Sequence, residues 1–254
     1  MLAGKFLDIC REKLFEIDEE MATIDGIAQA ISDAVVRGAK VFIYDRGHLL
    51  NNELMVRAGG FALLKKLNVN QGSIPDPITE TGYDRSTKLE FSGKAAIIQE
   101  YERKLAEISL VNAGLCAGDI LIIGSVSGKA SIVVELALAA GKLGIITIGI
   151  TSLKYSKAIV SSHHSGKKLF EAVDYVIDNH SDIGDASMQV EGLDEKICPT
   201  SGINAAIIAW CLMAQIAEYL IGKGIRPGIY RSVNLPGGEE LFNQINERYK
   251  RVGY

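Results

Sequence analysis

The chain has 254 residues, 48% hydrophobic and 23% charged, with a formal net charge of −4. That composition excludes a disordered chain and leaves room for a sizeable core, in one large α/β domain or two small ones. It also carries no basic excess with which to neutralise a phosphate track, so nucleic acid is not expected as a partner and any anion must be met by a local site.

From about Phe6 to Gly38 apolar residues recur at helical spacing: Phe6, Ile9, Leu14, Ile17, Met21, Ile24, Ile27, Ile31 and Val35. The pattern predicts one long helix or two, with Asp25-Gly26 as the break. Charges interrupt any signal-peptide core in the first twenty residues, so a cytoplasmic location is expected. Val41-Phe42-Ile43-Tyr44 reads as a buried strand ending in the polar turn Asp45-Arg46-Gly47-His48, and a helix is expected from about Asn51 to Leu67. Gln71 to Glu90, with Pro75 and Pro77, reads as a long loop of the kind that forms lids or binding segments.

Gly93 to Gly114 is again helical. Ile120 to Ile123 is the clearest central strand, followed by Gly124-Ser125-Val126-Ser127-Gly128 and a helix from about Lys129 to Leu143. Ile145 to Ile150 predicts a strand ending at Thr151-Ser152, Tyr175 to Asp178 one more, and Ser201 to Ile221 a long apolar helix. The apolar run Ile203 to Ala217, carrying Asn204 and Gln215, is too short to span a bilayer, so no membrane partner is expected. Cys10, Cys116, Cys198 and Cys211 form no CxxC pair and read as free thiols of a reducing compartment. Strands that are apolar throughout and alternate with helices predict a doubly wound, three-layer α/β/α domain with a parallel sheet. Its expected parts are N-terminal helices over about 1–38, an α/β core over about 39–222 and a C-terminal segment over 223–254.

In an open parallel sheet, ligands bind beyond the carboxyl ends of the strands. That rule selects Asp45 to Leu49, Ser125 to Ser131, Thr151-Ser152 and Asp178 to His180. The most informative is Ser125-Val126-Ser127-Gly128-Lys129-Ala130-Ser131, where hydroxyl side chains and a glycine join a buried strand to a helix start. Free N–H groups and the helix dipole there suit a phosphate, with Gly128 expected to let the backbone approach it; the same serines would also serve as a plain N-cap. A Walker loop is excluded, because only three residues separate Gly124 from Gly128 and Ala130 follows the lysine. No GxGxxG follows Tyr44 or Ile123, so a dinucleotide is not expected either.

Ser125-Val126-Ser127-Gly128 resembles the Ser-x-Ser-Gly phosphate loop of sugar isomerase (SIS) domains. Asp45-Arg46-Gly47-His48 stands where those proteins carry a Gly-x-Gly-x-Ser turn, and Pro199-Thr200-Ser201 resembles the segment they place over the sugar. Arg57-Ala58-Gly59-Gly60, Ile150-Thr151-Ser152-Leu153, Ser165-Gly166-Lys167 and Asn234-Leu235-Pro236-Gly237-Gly238 are similar to segments of a bacterial SIS group labelled phosphosugar or phosphoheptose isomerase. The likeness runs along nearly the whole chain. It implies a five-stranded parallel sheet, a phosphorylated sugar as ligand, and a homodimer or homotetramer. It also implies substrate contacts from Gly47, Ser125, Ser127, Gly128, Lys129, Ser131, Thr151, Ser152, Thr200 and Ser201. Leu49, Asp45 and Ala130 depart from the pattern, and Leu49 in particular removes a hydroxyl.

Aldose–ketose isomerisation needs a base that moves a proton between adjacent carbons and a partner that handles the oxygen protons. Glu53, His48 and His164 are the candidates, Glu53 by its place after the first turn and His48 by its place at a strand end; Glu80, Tyr83 and Arg85 are weaker loop candidates. Each also has a structural reading, as a surface carboxylate or a cap. Adjacent His163 and His164 are expected to point apart, so no metal site and no cofactor are predicted. Three functions fit these residues: a sugar-phosphate isomerase, a non-catalytic sugar-phosphate sensor, and an etherase-type lyase on an amino-sugar phosphate.

Overall fold

A computed structural model describes residues 1–47, 50–70 and 92–254. The N-terminal periodicity resolves into two helices, α1 (Leu2–Asp18) and α2 (Met21–Val36). The break falls at Glu19-Glu20, not at Asp25-Gly26. Asp18, Glu19 and Glu20 pile negative charge on the negative end of α1, where a helix is weakest. Gly26 costs about 1 kcal/mol inside a helix, but Ile24, Ile27, Ile31 and Val35 are buried around it and hold α2 together.

β1 (Val41–Asp45) leads into a helix of one turn, α3 (Leu50–Glu53). The helix expected to run to Leu67 ends there. Gly59 adopts φ +82°, and Leu64–Lys66 instead forms the short edge strand β2, parallel to β1 with Leu64 opposite Val41. The expected Gln71–Glu90 loop, with Glu80, Tyr83 and Arg85, lies outside the described residues, as do His48 and Leu49. The chain continues through α4 (Ser92–Asn112), β3 (Ile120–Gly124), α5 (Ser131–Lys142), β4 (Ile146–Thr151), α6 (Leu153–Ala158) and β5 (Tyr175–Asp178). It ends with a small antiparallel pair, β6 (Ala186–Met188) and β7 (Ile197–Pro199), then α7 (Ser201–Gly222) and α8 (Gly238–Val252).

The five-stranded sheet has the order β2-β1-β3-β4-β5, parallel throughout. Successive residues of a strand point to opposite faces. Ile120 and Ile122 therefore pack with α2 and α7 in one apolar layer, while Leu121 and Ile123 pack with α4 and α5 in the other. This is the predicted three-layer α/β/α arrangement. From β1 the chain moves outward to β2, then returns across β1 to β3. The order reverses between β1 and β3, the switch point at which such sheets bind ligands.

α7 has 22 residues, longer than its apolar run suggests, and by length and composition alone it is long and apolar enough to cross a membrane. Here Ala205, Ile208, Ala209, Leu212, Met213, Ile216 and Leu220 form a buried stripe that joins the layer containing α2. In the C-terminal segment, α8 buries Ile245 against Ala62 and Tyr230 beside the β2 edge.

Candidate functional site

The carboxyl ends of β1, β3, β4 and β5 open into one cavity of about 840 Å³, within the range of small-molecule sites. Its floor is the switch point. Asp45 ends β1 opposite Gly124, and any side chain at Gly124 would meet the Asp45 carboxylate at 2.5 Å. That carboxylate accepts from the N–H of Gly47 (2.8 Å) and of Leu50 (3.2 Å), so it builds the first turn. Beside it, burial pushes the Tyr44 phenol above its ordinary pKa, against the opposing effect of Arg46, so the ring stays protonated.

Besides the one-turn α3, three helices begin at this rim, and their first turns differ. α6 is capped by Ser152, whose Oγ accepts from Tyr155 N–H, and by Asp178, which accepts from Leu153 N–H (3.0 Å). The first turn of α7 is covered by Asp185, which accepts from both Ser201 N–H (2.9 Å) and Ser201 Oγ–H (2.7 Å). α5 has neither kind of partner. Its N-cap is Ala130, which has no side chain to donate an oxygen. The N–H groups of Val126, Ser127, Lys129, Ala130, Ser131 and Ile132 meet no acceptor among the described residues. Ser131 is 8% exposed, and its Oγ is buried without a hydrogen-bond partner. A buried hydroxyl left unmet is costly unless something fills the place, and open amides at a helix start are met by water or a ligand where no cap serves them. Ser125, Ser127, Lys129, Ala130 and Ser131 all line the cavity, and Arg46 adds a second cation at its wall.

The structure thus brings together Gly47, Ser125, Ser127, Lys129, Ser131 and Ser201 from the predicted set. Of the others that the structure describes, Gly128, Thr151, Ser152, Thr200, Glu53 and His164 do not line the cavity. Gly128 does not approach the cavity. It takes φ +59°, donates to Ser125 O (3.2 Å), and packs so tightly that a Cβ would meet Thr151 Oγ1 at 3.0 Å and Leu169 Cβ at 3.1 Å. Its role is to turn the loop, not to admit an anion. We expect Gly128→Val to cost about 2–4 kcal/mol, adding the left-handed penalty to overpacking; a loss under about 1 kcal/mol in chemical denaturation contradicts this placement.

Thr151 and Ser152 are fully buried. Thr151 Oγ1 donates to Val126 O (3.0 Å) and Ser152 Oγ to Ser181 O (2.6 Å), so both hydroxyls fasten the scaffold. Thr200 is 1% exposed and bonded to Ser187 Oγ (3.1 Å). Glu53 is not among the residues lining the cavity; its carboxylate pairs with Arg57 and with Trp210 Nε1 (3.3 Å). His164 lies outside it. His163 and His164 do not point apart: their ring centroids are 4.1 Å apart, because they sit in a turn and not in a strand whose side chains alternate.

Sequence reasoning did not single out Gln99 and Glu102, which α4 adds to the wall, nor Tyr155. Asp45 and Asp185, also lining residues, spend their carboxylates on backbone and hydroxyl donors. Glu102 is half-buried and has no hydrogen-bond or ion-pair partner among the described residues. Nothing in its local sequence marks it out; only the packing of α4 against α5 brings it to the cavity.

Fold and cavity together define a doubly wound α/β protein with a concave site at the switch point and an open helix mouth within it. The chain belongs to the SIS domain family, whose model matches residues 5–152. It is 32% identical to a UPF0309 protein of Shouchella clausii over 92% of this chain and 90% of that one. It is also 32% identical to a UPF0309 protein of Streptomyces griseus over 100% and 97%. Among solved structures, a phosphoheptose isomerase from Francisella tularensis covers 86% of this chain and 99% of its own, at a TM-score of 0.48 and 14% identity.

Proposed function

We propose that the cavity binds a phosphorylated sugar, with the phosphate at the mouth of α5. The observation that carries this reading is the set of unmet donors there, the amides of Val126, Ser127 and Lys129 to Ile132 with Ser131 Oγ. Amide hydrogens, a helix dipole and flanking Lys129 and Arg46 are the chemistry of a phosphate site. The remaining cavity, with Gln99, Glu102 and Tyr155 in its wall, offers polar partners to sugar hydroxyls. On this reading the protein is an isomerase, and Glu102 carries the proton between adjacent carbons, since the other lining carboxylates are engaged. Glu53 and His164 are not used.

Thermal unfolding with a panel of aldose and ketose phosphates, each beside its unphosphorylated sugar, tests the binding step. Phosphate esters should stabilise the protein, by about 2.7 kcal/mol at a hundred times Kd, and the free sugars should not. Equal shifts from both, or no shift from any ester, would falsify the assignment.

A further inference from the structure

Outside the cavity, three side chains converge on one point. Glu135 lies on α5 one helical turn beyond Ser131 and is 5% exposed. His163 is 4% exposed, and its Nε2 lies 2.9 Å from Glu135 Oε1. His164 presents Nδ1 at 3.9 Å from the same oxygen, on a ring open to solvent. The three candidate ligand atoms lie within 4.8 Å of one another.

A carboxylate taken out of water needs a compensating charge. Among the described residues no lysine or arginine reaches Glu135; its ion-pair partners are the two histidines. Two ligands held at about 2.1 Å by a tetrahedral ion stand about 3.4 Å apart. That separation falls between the 2.9 Å and 3.9 Å seen here. Two imidazoles and a carboxylate are a donor set for a borderline divalent ion, and harder ions such as magnesium prefer oxygen throughout.

We propose that Glu135, His163 and His164 form a binding site for a divalent transition-metal ion of the zinc class, with its fourth position open to solvent beside His164. The support for His163 is already in place. Without the ion, Ser165 N–H donates to Nδ1 (3.2 Å), so the ring proton sits on Nε2 and is given to Glu135. When Nε2 ligates, the proton moves to Nδ1 and is donated to Ser165 Oγ, 2.7 Å away. A histidine ligand oriented through its second nitrogen in this way is the usual outer-shell arrangement. The ion would fasten the turn containing His163 to α5. Ser162 N–H in that turn also donates to Lys129 O (2.9 Å), so the metal site would brace the loop that faces the cavity. This inference stands whether or not the cavity binds a sugar phosphate.

The test is titration of the chelator-stripped, full-length protein with Co²⁺, followed by displacement with Zn²⁺. One equivalent of Co²⁺ should produce saturable visible absorption of a low-coordinate nitrogen/oxygen site, and Zn²⁺ should abolish it and raise the unfolding temperature. His164→Ala, at an exposed side chain, should weaken binding at least ~10-fold and remove the Zn²⁺-dependent thermal shift, as should Glu135→Gln. Should Glu135→Gln fail to fold, His164→Ala decides alone. No saturable binding, or binding unchanged in His164→Ala, overturns the proposal; the latter result would place the ion on other groups such as the cysteines.

Discussion

Ala130→Asp should make the protein more stable and unable to bind a phosphate ester. Ala130 occupies the N-cap of α5 with φ −65° and ψ 134°, the extended geometry from which a side-chain oxygen reaches the N2 or N3 amide. Asp there should add about 0.5–2 kcal/mol by capping, which for a chain of this size raises Tm by about 2–4 °C per kcal/mol. The same carboxylate would take the amides that the phosphate needs and set one anion against another. Two unit charges about 4 Å apart cost about 4 kcal/mol at an effective dielectric of 20, so binding should fall at least ~100-fold. Ala130→Asn separates the causes: it caps without charge, and should reproduce the stabilisation with a smaller loss of affinity. A ligand bound equally well by Ala130→Asp and the parent protein is not held at this helix mouth.

The opposite signs follow from how the chain divides its helix starts. α6 and α7 carry their own anions, in Asp178 and Asp185, and gain stability from them. α5 forgoes the cap. A fold selected for stability alone has no reason to leave one of three neighbouring helices open, with a buried hydroxyl unpaired beside it. Stability withheld at one helix start, beside two that are capped, is a common mark of a binding site.

How much of this was legible beforehand depended on whether the signal was local. Ile120–Ile123 and the serine loop were readable because a buried strand and the polar turn after it are contiguous in the chain. β2 was not, because Leu64-Lys65-Lys66 is an edge strand with only Leu64 buried, and its apolar neighbours Phe61 to Leu63 mimic a helical stripe. The break between α1 and α2 lies in the acidic run before Met21 and not at Gly26, because the apolar residues buried around Gly26 outweigh its low helix propensity. Thr151, Ser152 and Thr200 illustrate a different limit. Hydroxyl residues at strand ends and helix starts serve a ligand or the scaffold equally well, and only their partners decide. Glu102 was invisible for the complementary reason: a glutamate on an amphipathic helix becomes a cavity residue only through the packing of that helix against another.

Glu102→Gln should therefore separate turnover from binding. The substitution keeps the side chain's size and its capacity to accept a hydrogen bond, but removes the ability to take a proton. If Glu102 is the base, kcat for the isomerised sugar phosphate should fall by about 10²–10⁴-fold, while the ester's Kd moves by less than about 3-fold, under 0.7 kcal/mol. Glu53→Gln serves as the internal comparison. Its carboxylate is turned toward Arg57 and Trp210, so turnover should be retained and any effect confined to stability. The reverse pattern, with Glu53→Gln inactive and Glu102→Gln unaffected, would require α3 to reorient when ligand binds. A third pattern has ester binding intact in all three proteins and no proton exchange at the sugar carbons in any of them. It would assign the open mouth of α5 to recognition alone, making the chain a sensor built on the same phosphate chemistry.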